Sequence, residues 1–168
     1  SYKNYFNTIN VRPATVCGYS NRMRLDVSVN MLTFQALKKK KMTIFGGSQV
    51  RPNIHIKDLV NVYKHFLNKK IKSGSYNAGF ENISILNIAK KIKQKLKSSN
   101  YVITKSNDPR SYRLDSSKLL NTGFRQQYFV EDAIEELIVK YKEGKIINDE
   151  KNFTIKWMKK NKIGNKNG

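Results

Sequence analysis

The sequence predicts an α/β fold, on three observations. Short runs rich in β-branched residues alternate along the chain with stretches in which apolar residues recur at helical spacing. Proline or glycine follows several of these runs, as expected where strands end. The 168 residues are enough for one domain with a core, and they contain neither an internal repeat nor a long linker. The strands are too few and too unevenly spaced for a complete doubly wound domain.

The first half of the chain is predicted to alternate between strands and helices. In order, these are a strand over Thr8–Pro13, a helix over Leu25–Lys39, strands over Met42–Phe45 and Asn53–Ile56, and a helix that ends near Asn68. Asp58 lies in the first turn of that last helix, where a carboxylate complements the positive helix end. The residues predicted to form its buried face are Leu59, Val62, Tyr63, Phe66 and Leu67.

The second half continues the alternation. Its predicted elements are a strand over Ser75–Gly79, a helix over Ile85–Leu96, a strand over Tyr101–Thr104, a short helix over Asp115–Leu120 and a helix over Phe129–Tyr141. Ser84 is the predicted N-cap of the first of these helices, and Asp115 that of the second. From Gly144 the chain is basic, and a few apolar residues predict one short packed element there. We therefore divide the chain into residues 1–143 and a basic C-terminal tail, 144–168.

The net charge is strongly positive, with 33 lysines and arginines against 12 acidic residues and a formal charge of +21. Such a charge is typical of nucleic-acid-binding proteins. Only seven of the 33 are arginine, however, and bidentate recognition favours arginine. Lysine, asparagine and isoleucine share A/T-rich codons, so genome composition accounts for the excess. We expect no specific nucleic-acid partner, and keep a lysine-rich nucleic-acid-binding or scaffold domain as an alternative.

Other patterns exclude several kinds of site. No apolar run approaches the roughly 18–20 residues that span a bilayer, so no membrane span is predicted. The single cysteine, Cys17, excludes an internal disulfide and favours a reducing cytoplasm. His55 and His65 have no aspartate or cysteine partner at metal-ligand spacing, so we interpret both as structural and predict no metal site.

Two arginine-bearing segments are the most informative feature of the chain. Arg51 lies in I-F-G-G-S-Q-V-R-P-N-I-H-I-K-D-L-V (Ile44–Val60) and Arg110 in D-P-R-S-Y-R-L-D-S-S-K-L-L (Asp108–Leu120), both after N-V-R-P-A-T-V-C-G-Y (Asn10–Tyr19). In this order the segments resemble the C-terminal half of the extended short-chain dehydrogenase/reductase family, which contains the NAD-dependent nucleotide-sugar epimerases and dehydratases. The resemblance implies the C-terminal part of an extended Rossmann-type fold, interleaved over residues 1–143 with a small substrate-binding subdomain.

The resemblance also implies roles for seven residues. Pro13 would contact the nicotinamide, and Thr15 would contact the substrate. Asn30, Arg51 and Arg110 would bind phosphate. Ile44 and Phe45 would line a uracil or thymine base. An arginine suits a diphosphate because its planar fork can bond two oxygens at once. Thr15 stands where many members carry asparagine, and C-G-Y (Cys17–Tyr19) where Tyr-Gly-Pro is common, which leaves the subfamily open.

The residues that carry hydride chemistry in this family are absent from the sequence. There is no G-x-x-G-x-x-G turn to seat the pyrophosphate of a dinucleotide. Two Tyr-x-x-x-Lys matches occur, Tyr101/Lys105 and Tyr141/Lys145, but the first spans a predicted strand and the second is broken by Gly144. We therefore expect no catalytic residue in this chain, and we expect NAD or NADP to be bound mainly by an N-terminal half outside it.

The predicted function is the substrate-binding portion of an NAD-dependent nucleotide-sugar epimerase/dehydratase. The resemblance implies a nucleoside diphosphate sugar as partner and a homodimer for the full-length enzyme, and the chain alone is expected to be inactive. An NADPH-dependent sugar reductase of the same family is the alternative enzyme. Two arginines that converge on one cleft would favour a diphosphate pocket, whereas a lysine stripe along one face would favour nucleic acid.

Overall fold

The structure of the protein, a computed structural model, describes residues 5–105 and 110–163. Within these ranges strands and helices alternate, and the α/β fold predicted from the sequence is confirmed. The strands are β1 (Ile9–Pro13), β2 (Thr15–Cys17), β3 (Lys41–Phe45), β4 (Val50–His55), β5 (Gly74–Ala78), β6 (Glu81–Ser84) and β7 (Asn100–Thr104). The helices are α1 (Ser28–Lys39), α2 (Ile56–Asn68), α3 (Ile85–Lys95), α4 (Ser117–Leu120), α5 (Val130–Lys142) and α6 (Thr154–Lys160), with a 3₁₀ turn at Glu150–Asn152.

Within the described residues, the strands form three small sheets built mainly from parallel pairs. β1 pairs with β5, β2 with β4 and β3 with β7, all in parallel, while β6 joins β4 antiparallel. A parallel pair needs a long crossover, and the connections that contain α1, α2 and α3 provide it. Parallel pairing also brings carboxyl ends together, so that Phe45 at the end of β3 lies beside Thr104 at the end of β7.

Helices α1, α3 and α5 enclose a large hydrophobic core together with β3. Each helix buries residues at helical spacing, and these are Val29, Leu32 and Ala36 from α1, Ile88, Ala89 and Ile92 from α3, and Val130, Ala133 and Ile134 from α5. Burial of a side chain the size of valine or leucine contributes about 1.5–3 kcal/mol. A second cluster around Val62, Tyr76 and Phe124 holds α2 against β5. The core therefore fixes the strands from whose ends the polar groups below project.

Local signals placed most element boundaries within a few residues. The predicted cap of α3 is confirmed, because the Ser84 hydroxyl accepts a hydrogen bond from the Asn87 backbone N–H at 3.2 Å. The predicted helix over Asp115–Leu120 begins two residues later, at Ser117, whose N–H donates to the Asp115 carboxylate at 2.9 Å. Strands β2 and β6 were not predicted, since three or four residues are too short for an alternating pattern to be recognised.

The predicted buried face of α2 is wrong at two positions. Tyr63 is 49% exposed and Leu67 85% exposed, whereas Val62 is completely buried. Asp58 is buried on the same face as Val62, one turn away. The buried face of α2 therefore includes the carboxylate of Asp58. Because the prediction used apolar residues alone, the predicted face was rotated toward the solvent.

The described part of the tail packs against the loop before α1. The backbone N–H of Leu25 donates to Asn152 at 2.7 Å, and the guanidinium of Arg22 lies 6.0 Å from the Trp157 ring. Helix α1 begins at Ser28 rather than at the predicted Leu25, because Val27, its N-cap residue, has an extended backbone with φ −106° and ψ 147°. The division of the chain after residue 143 stays a prediction.

Candidate functional site

A cleft of about 520 Å³ opens where β3 ends, β4 begins and the segment after β7 passes. The residues that line it are Asp26, Ser28, Met31, Thr43, Phe45, Gln49, Arg51, Ile85, Lys105 and Arg110. Among these described residues three are cationic and one is acidic, so the cleft favours an anionic ligand.

Arg51 is the second residue of β4, and its side chain lies in this cleft. Its Nη1 atom donates to the backbone carbonyl of Val50 at 3.1 Å and to the backbone carbonyl of Arg110. The carbon at the centre of the guanidinium lies 5.5 Å from the centroid of the Tyr112 ring, as in a cation–π contact. The structure thus brings the two arginines into one cleft, although they lie 59 residues apart in the chain.

Ile44 and Phe45, which were predicted to line a base, have side chains that point in different directions. Phe45 is 58% exposed and lines the cleft, whereas Ile44 is 1% exposed and packs in the hydrophobic core. Successive side chains of a strand point to opposite faces, which explains the difference. The turn after β3 is held by Gln49, whose amide donates to the Phe45 carbonyl at 2.8 Å and accepts from the Gly47 N–H at 2.6 Å.

Asn30 lies outside the lining of the cleft described above. It is 2% exposed, and its amide oxygen accepts a hydrogen bond from the Gly18 N–H at 3.0 Å. Its amide nitrogen donates to the carbonyls of Gly18, at 3.2 Å, and Arg24, at 2.9 Å. In this arrangement both amide hydrogens hold the loop that leads into α1. The phosphate-binding role of Asn30 stays a prediction, and it would require one of these bonds to be exchanged.

Pro13 and Thr15 also lie outside that lining. Pro13 ends β1 and is exposed, while Thr15 opens β2 and is half-buried opposite Asn53 of β4. The residue between them, Ala14, bonds through its N–H to the Ala78 carbonyl at 2.8 Å. The contacts of Pro13 with a nicotinamide and of Thr15 with a substrate stay predictions.

Five polar residues of the cleft were not identified from the sequence, namely Asp26, Ser28, Thr43, Gln49 and Lys105. Lys105 directly follows β7, and Gln49 directly precedes β4, so both stand at strand ends, which is the signal that could have identified them. Asp26 accepts from the Arg24 guanidinium at 2.8 Å and from the Ile155 N–H at 3.3 Å. Partial burial raises the pKa of Asp26, but these hydrogen bonds outweigh it and hold the pKa below its usual value.

A second polar cluster surrounds His55, at the beginning of α2. Its Nδ1 atom accepts from the Lys57 N–H at 3.1 Å and so caps the helix, in agreement with the predicted structural role. Its Nε2 atom lies 3.4 Å from a carboxylate oxygen of Glu136, and its ring stacks on Tyr128 at 5.0 Å. Burial lowers the pKa of His55, which keeps the imidazole neutral in spite of the nearby Glu136.

The remaining predictions about reactive groups can be compared with the described residues. Tyr101 lies in strand β7 and Lys105 directly after it, in agreement with the strand predicted there. Burial raises the pKa of the Cys17 thiol to about 12, so it is protonated at neutral pH. In the part of the chain that the structure describes, no three residues are grouped as metal ligands, and none of the helices has the length and apolar character of a membrane span. Asp108 and Pro109 of the second arginine segment lie outside the described residues, as does the end of the tail, 164–168.

Comparison with known proteins agrees with these features. Residues 1–79 match the model of a family described as "NAD dependent epimerase/dehydratase family". Among solved structures, the chain is similar to UDP-N-acetylglucosamine 4-epimerase from Bacillus cereus, with a TM-score of 0.72 and 21% identity over 84% of this chain and 51% of that one. It is also similar to UDP-glucose 4-epimerase from Thermotoga maritima, with a TM-score of 0.73 and 18% identity over 85% and 48% of the two chains.

A third similar structure is UDP-glucuronic acid 4-epimerase from Bacillus cereus in complex with UDP-glucuronic acid and NAD. Here the TM-score is 0.69 and the identity 28%, over 84% of this chain and 48% of that one. The chain thus spans about half the length of the solved structures it matches. Residues 1–79 thus match the NAD-dependent epimerase/dehydratase family by sequence, and most of the chain is similar in fold to nucleotide-sugar epimerases, in agreement with the resemblance of its motifs.

Proposed function

We propose that the cleft binds the diphosphate and base of a nucleotide sugar, as the substrate-binding portion of an NAD-dependent epimerase/dehydratase. The observation that carries this proposal is the convergence of Arg51 and Arg110 beside the exposed ring of Phe45. Cationic donors next to an aromatic surface match a ligand with two phosphates and a flat base. The similar proteins that are named for UDP-sugars support the same ligand class.

The electrostatics of the cleft support a doubly anionic ligand. Lys105 joins the two arginines in the lining, and the one acidic residue among the described lining residues, Asp26, is already paired with Arg24. A diphosphate would therefore meet cations without facing an unpaired carboxylate. A volume of about 520 Å³ also lies within the range of small-molecule sites.

The residues present do not form a dinucleotide site by themselves. The sequence contains no glycine-rich phosphate-binding turn, and Pro13, the residue predicted to contact a nicotinamide, is exposed at the end of β1. We therefore infer that NAD would be held mainly by residues outside this sequence, and we derive no chemical step from this chain. A cytoplasmic location and a homodimeric full-length enzyme remain part of the proposal.

We expect no epimerase, dehydratase or reductase turnover from the 168-residue chain. The physical reason is that no Tyr-x-x-x-Lys pair stands one helical turn apart to act as a base, since Tyr101 lies in a strand and α5 ends before Lys145. The assay would incubate the chain with NAD or NADPH and UDP-, dTDP-, GDP- or CDP-sugars and separate the products. Turnover above that of buffer would contradict the proposal, and NADPH oxidation would point to the alternative sugar reductase.

We expect replacement of Arg51 by lysine to weaken UDP binding about tenfold or more. Lysine keeps the charge but loses the planar fork that bonds two oxygens together, which isolates the contribution of geometry. Affinity for UDP and for uridine would be measured by ligand-detected NMR. Arg125→Lys is the matched control, because the Arg125 guanidinium bonds to the Phe124 and Leu120 carbonyls rather than lining the cleft.

Two results would contradict the assignment of Arg51. One is an equal loss of affinity for UDP and for uridine, which would mean that the phosphates are not what Arg51 recognises. The other is an unchanged affinity for UDP in the Arg51→Lys variant. The lysine-rich alternative is disfavoured by the same geometry, since arginines that converge on one cleft are suited to a compact diphosphate.

A further inference from the structure

Tyr112 lies beside the candidate diphosphate site without being one of the residues predicted to form it. Its ring centroid is 5.5 Å from the guanidinium carbon of Arg51, and its side chain is half-exposed. A guanidinium at this distance is attracted to the negative face of an aromatic ring. Tyr112 therefore contacts the cation itself, from the segment that also carries Arg110.

The segment of residues 110–112 is hydrogen-bonded to Val50, the first residue of β4. The Val50 N–H donates to the Ser111 hydroxyl at 3.0 Å, and the Tyr112 N–H donates to the Val50 carbonyl at 3.3 Å. The same Val50 carbonyl accepts from Nη1 of Arg51 at 3.1 Å. The backbone of residues 110–112 and the side chain of Arg51 are thus tied to one point on β4.

Hydrogen bonds also hold the chain just after Tyr112, at Leu114 and Asp115. The side-chain amide of Asn82, in β6, accepts from the Leu114 N–H at 2.8 Å and donates to the Leu114 carbonyl at 3.1 Å. Asn77 of β5 then donates to the Asp115 carbonyl at 2.9 Å. Tyr112 is therefore held between two anchored points, which limits how far its ring can move away from Arg51.

A free arginine side chain has many rotamers, and binding of a ligand must remove this freedom unless the guanidinium is already held in place. Here both hydrogens of Nη1 are directed at backbone carbonyls, and the ring of Tyr112 covers the guanidinium. We propose that Tyr112 is a positioning residue of this site, which holds the guanidinium of Arg51 ready to bind a diphosphate. This proposal rests on the proposed function of the cleft.

The test compares Tyr112→Leu with Tyr112→Phe, using UDP as the ligand. Removal of the ring should weaken UDP binding about two- to fivefold, the fold-change expected for a cation–π contact at a partly exposed site. Phenylalanine keeps the ring and should retain the affinity of the native chain. Tyr63→Leu is the matched control, because Tyr63 is about as exposed as Tyr112 but lies on α2. Melting temperatures would show that all variants are folded.

A double-mutant cycle shows whether Tyr112 acts through Arg51. In an Arg51→Ala background, Tyr112→Leu should cause no further loss of UDP affinity, because the cation that the ring positions is gone. An equal loss in both backgrounds would overturn the proposal, since Tyr112 would then contact the nucleotide directly.

The remaining outcomes separate this inference from the proposed function. If UDP binds and Arg51→Ala weakens it while Tyr112→Leu does not, the positioning role is wrong and the function of the cleft stands. If the native chain does not bind UDP, the proposed function is wrong, and the role of Tyr112 is wrong with it. A loss in Tyr112→Phe as large as that in Tyr112→Leu would also overturn the proposal, because the ring would then not be the active group.

Discussion

Replacement of Asp58 by alanine is expected to lower the free energy of unfolding by about 2–4 kcal/mol. Asp58 is completely buried, and its carboxylate accepts from the Gln127 N–H at 3.1 Å and the Tyr128 N–H at 2.9 Å. These bonds join α2 to the segment that leads into α5. Without the carboxylate both N–H groups lose their partner, and each unsatisfied group costs about 1–3 kcal/mol where water cannot replace it.

The measurement is urea unfolding, followed by circular dichroism. Asp149→Ala provides the control, because Asp149 also accepts from a backbone N–H, that of Lys151 at 2.9 Å, but at an exposed position. There water can solvate the freed group, so we expect a loss of about 1 kcal/mol or less. If the two variants lost the same stability, the buried carboxylate would not join the elements as described.

Replacement of Gly79 by alanine should destabilise the chain by about 3 kcal/mol. A Cβ atom at Gly79 would lie 2.4 Å from the Cβ of Ala14 and 2.9 Å from a methyl group of Leu114. Ala14 cannot easily withdraw, because its N–H bonds to the Ala78 carbonyl at 2.8 Å. Gly79 itself is held by the Ser116 hydroxyl, which accepts from its N–H and donates to its carbonyl. Overpacking of this kind costs about 1–3 kcal/mol, and sometimes more.

A second substitution distinguishes this clash from other effects of alanine. The double variant Gly79→Ala/Ala14→Gly removes the nearest atom and should recover part of the lost stability. Gly144→Ala serves as a control, because Gly144 has a φ of +70° but no atom within 4 Å of an added Cβ. We expect only the cost of left-handed backbone there, about 1–2 kcal/mol. No recovery in the double variant would mean that contact with Ala14 is not the cause.

The candidate cleft shows how far a sequence can identify a site. Arg51 and Arg110 stood out because each lies at a strand boundary or in a loop, where a cation is not simply a solvated helix residue. Their segments could be compared with a family, so Asn30, Arg51 and Arg110 were predicted to meet at one phosphate site. The structure places the two arginines in one cleft, whereas Asn30 lies outside its described lining. Lys105 stands at a similar strand end, but a lysine was hard to single out in a chain with 33 basic residues.

Residue type alone could not show which polar groups are already used within the fold. Asn30 was conspicuous as an asparagine in an apolar helix, yet its amide holds the backbone of Gly18 and Arg24. Asp58 was interpreted as a helix-end charge, yet it is buried and bonded to residues about 70 positions later. Such bonds depend on which segments meet after folding, and spacing along the chain does not contain that information.

Patterns within the sequence were sufficient to predict the α/β class, the Ser84 cap of α3 and a resemblance to the family whose model matches residues 1–79. These follow from local periodicity, local hydrogen bonds and short motifs, all of which are complete within a few residues. Only the folded chain shows that Phe45 faces the cleft while Ile44 faces the core, that Asn30 supports a loop, and that the Tyr112 ring lies over Arg51. The physical reason is that burial and hydrogen-bond satisfaction are settled by contacts between distant segments, here residues 51 and 112, which meet only once β4 and the segment after β7 are in place.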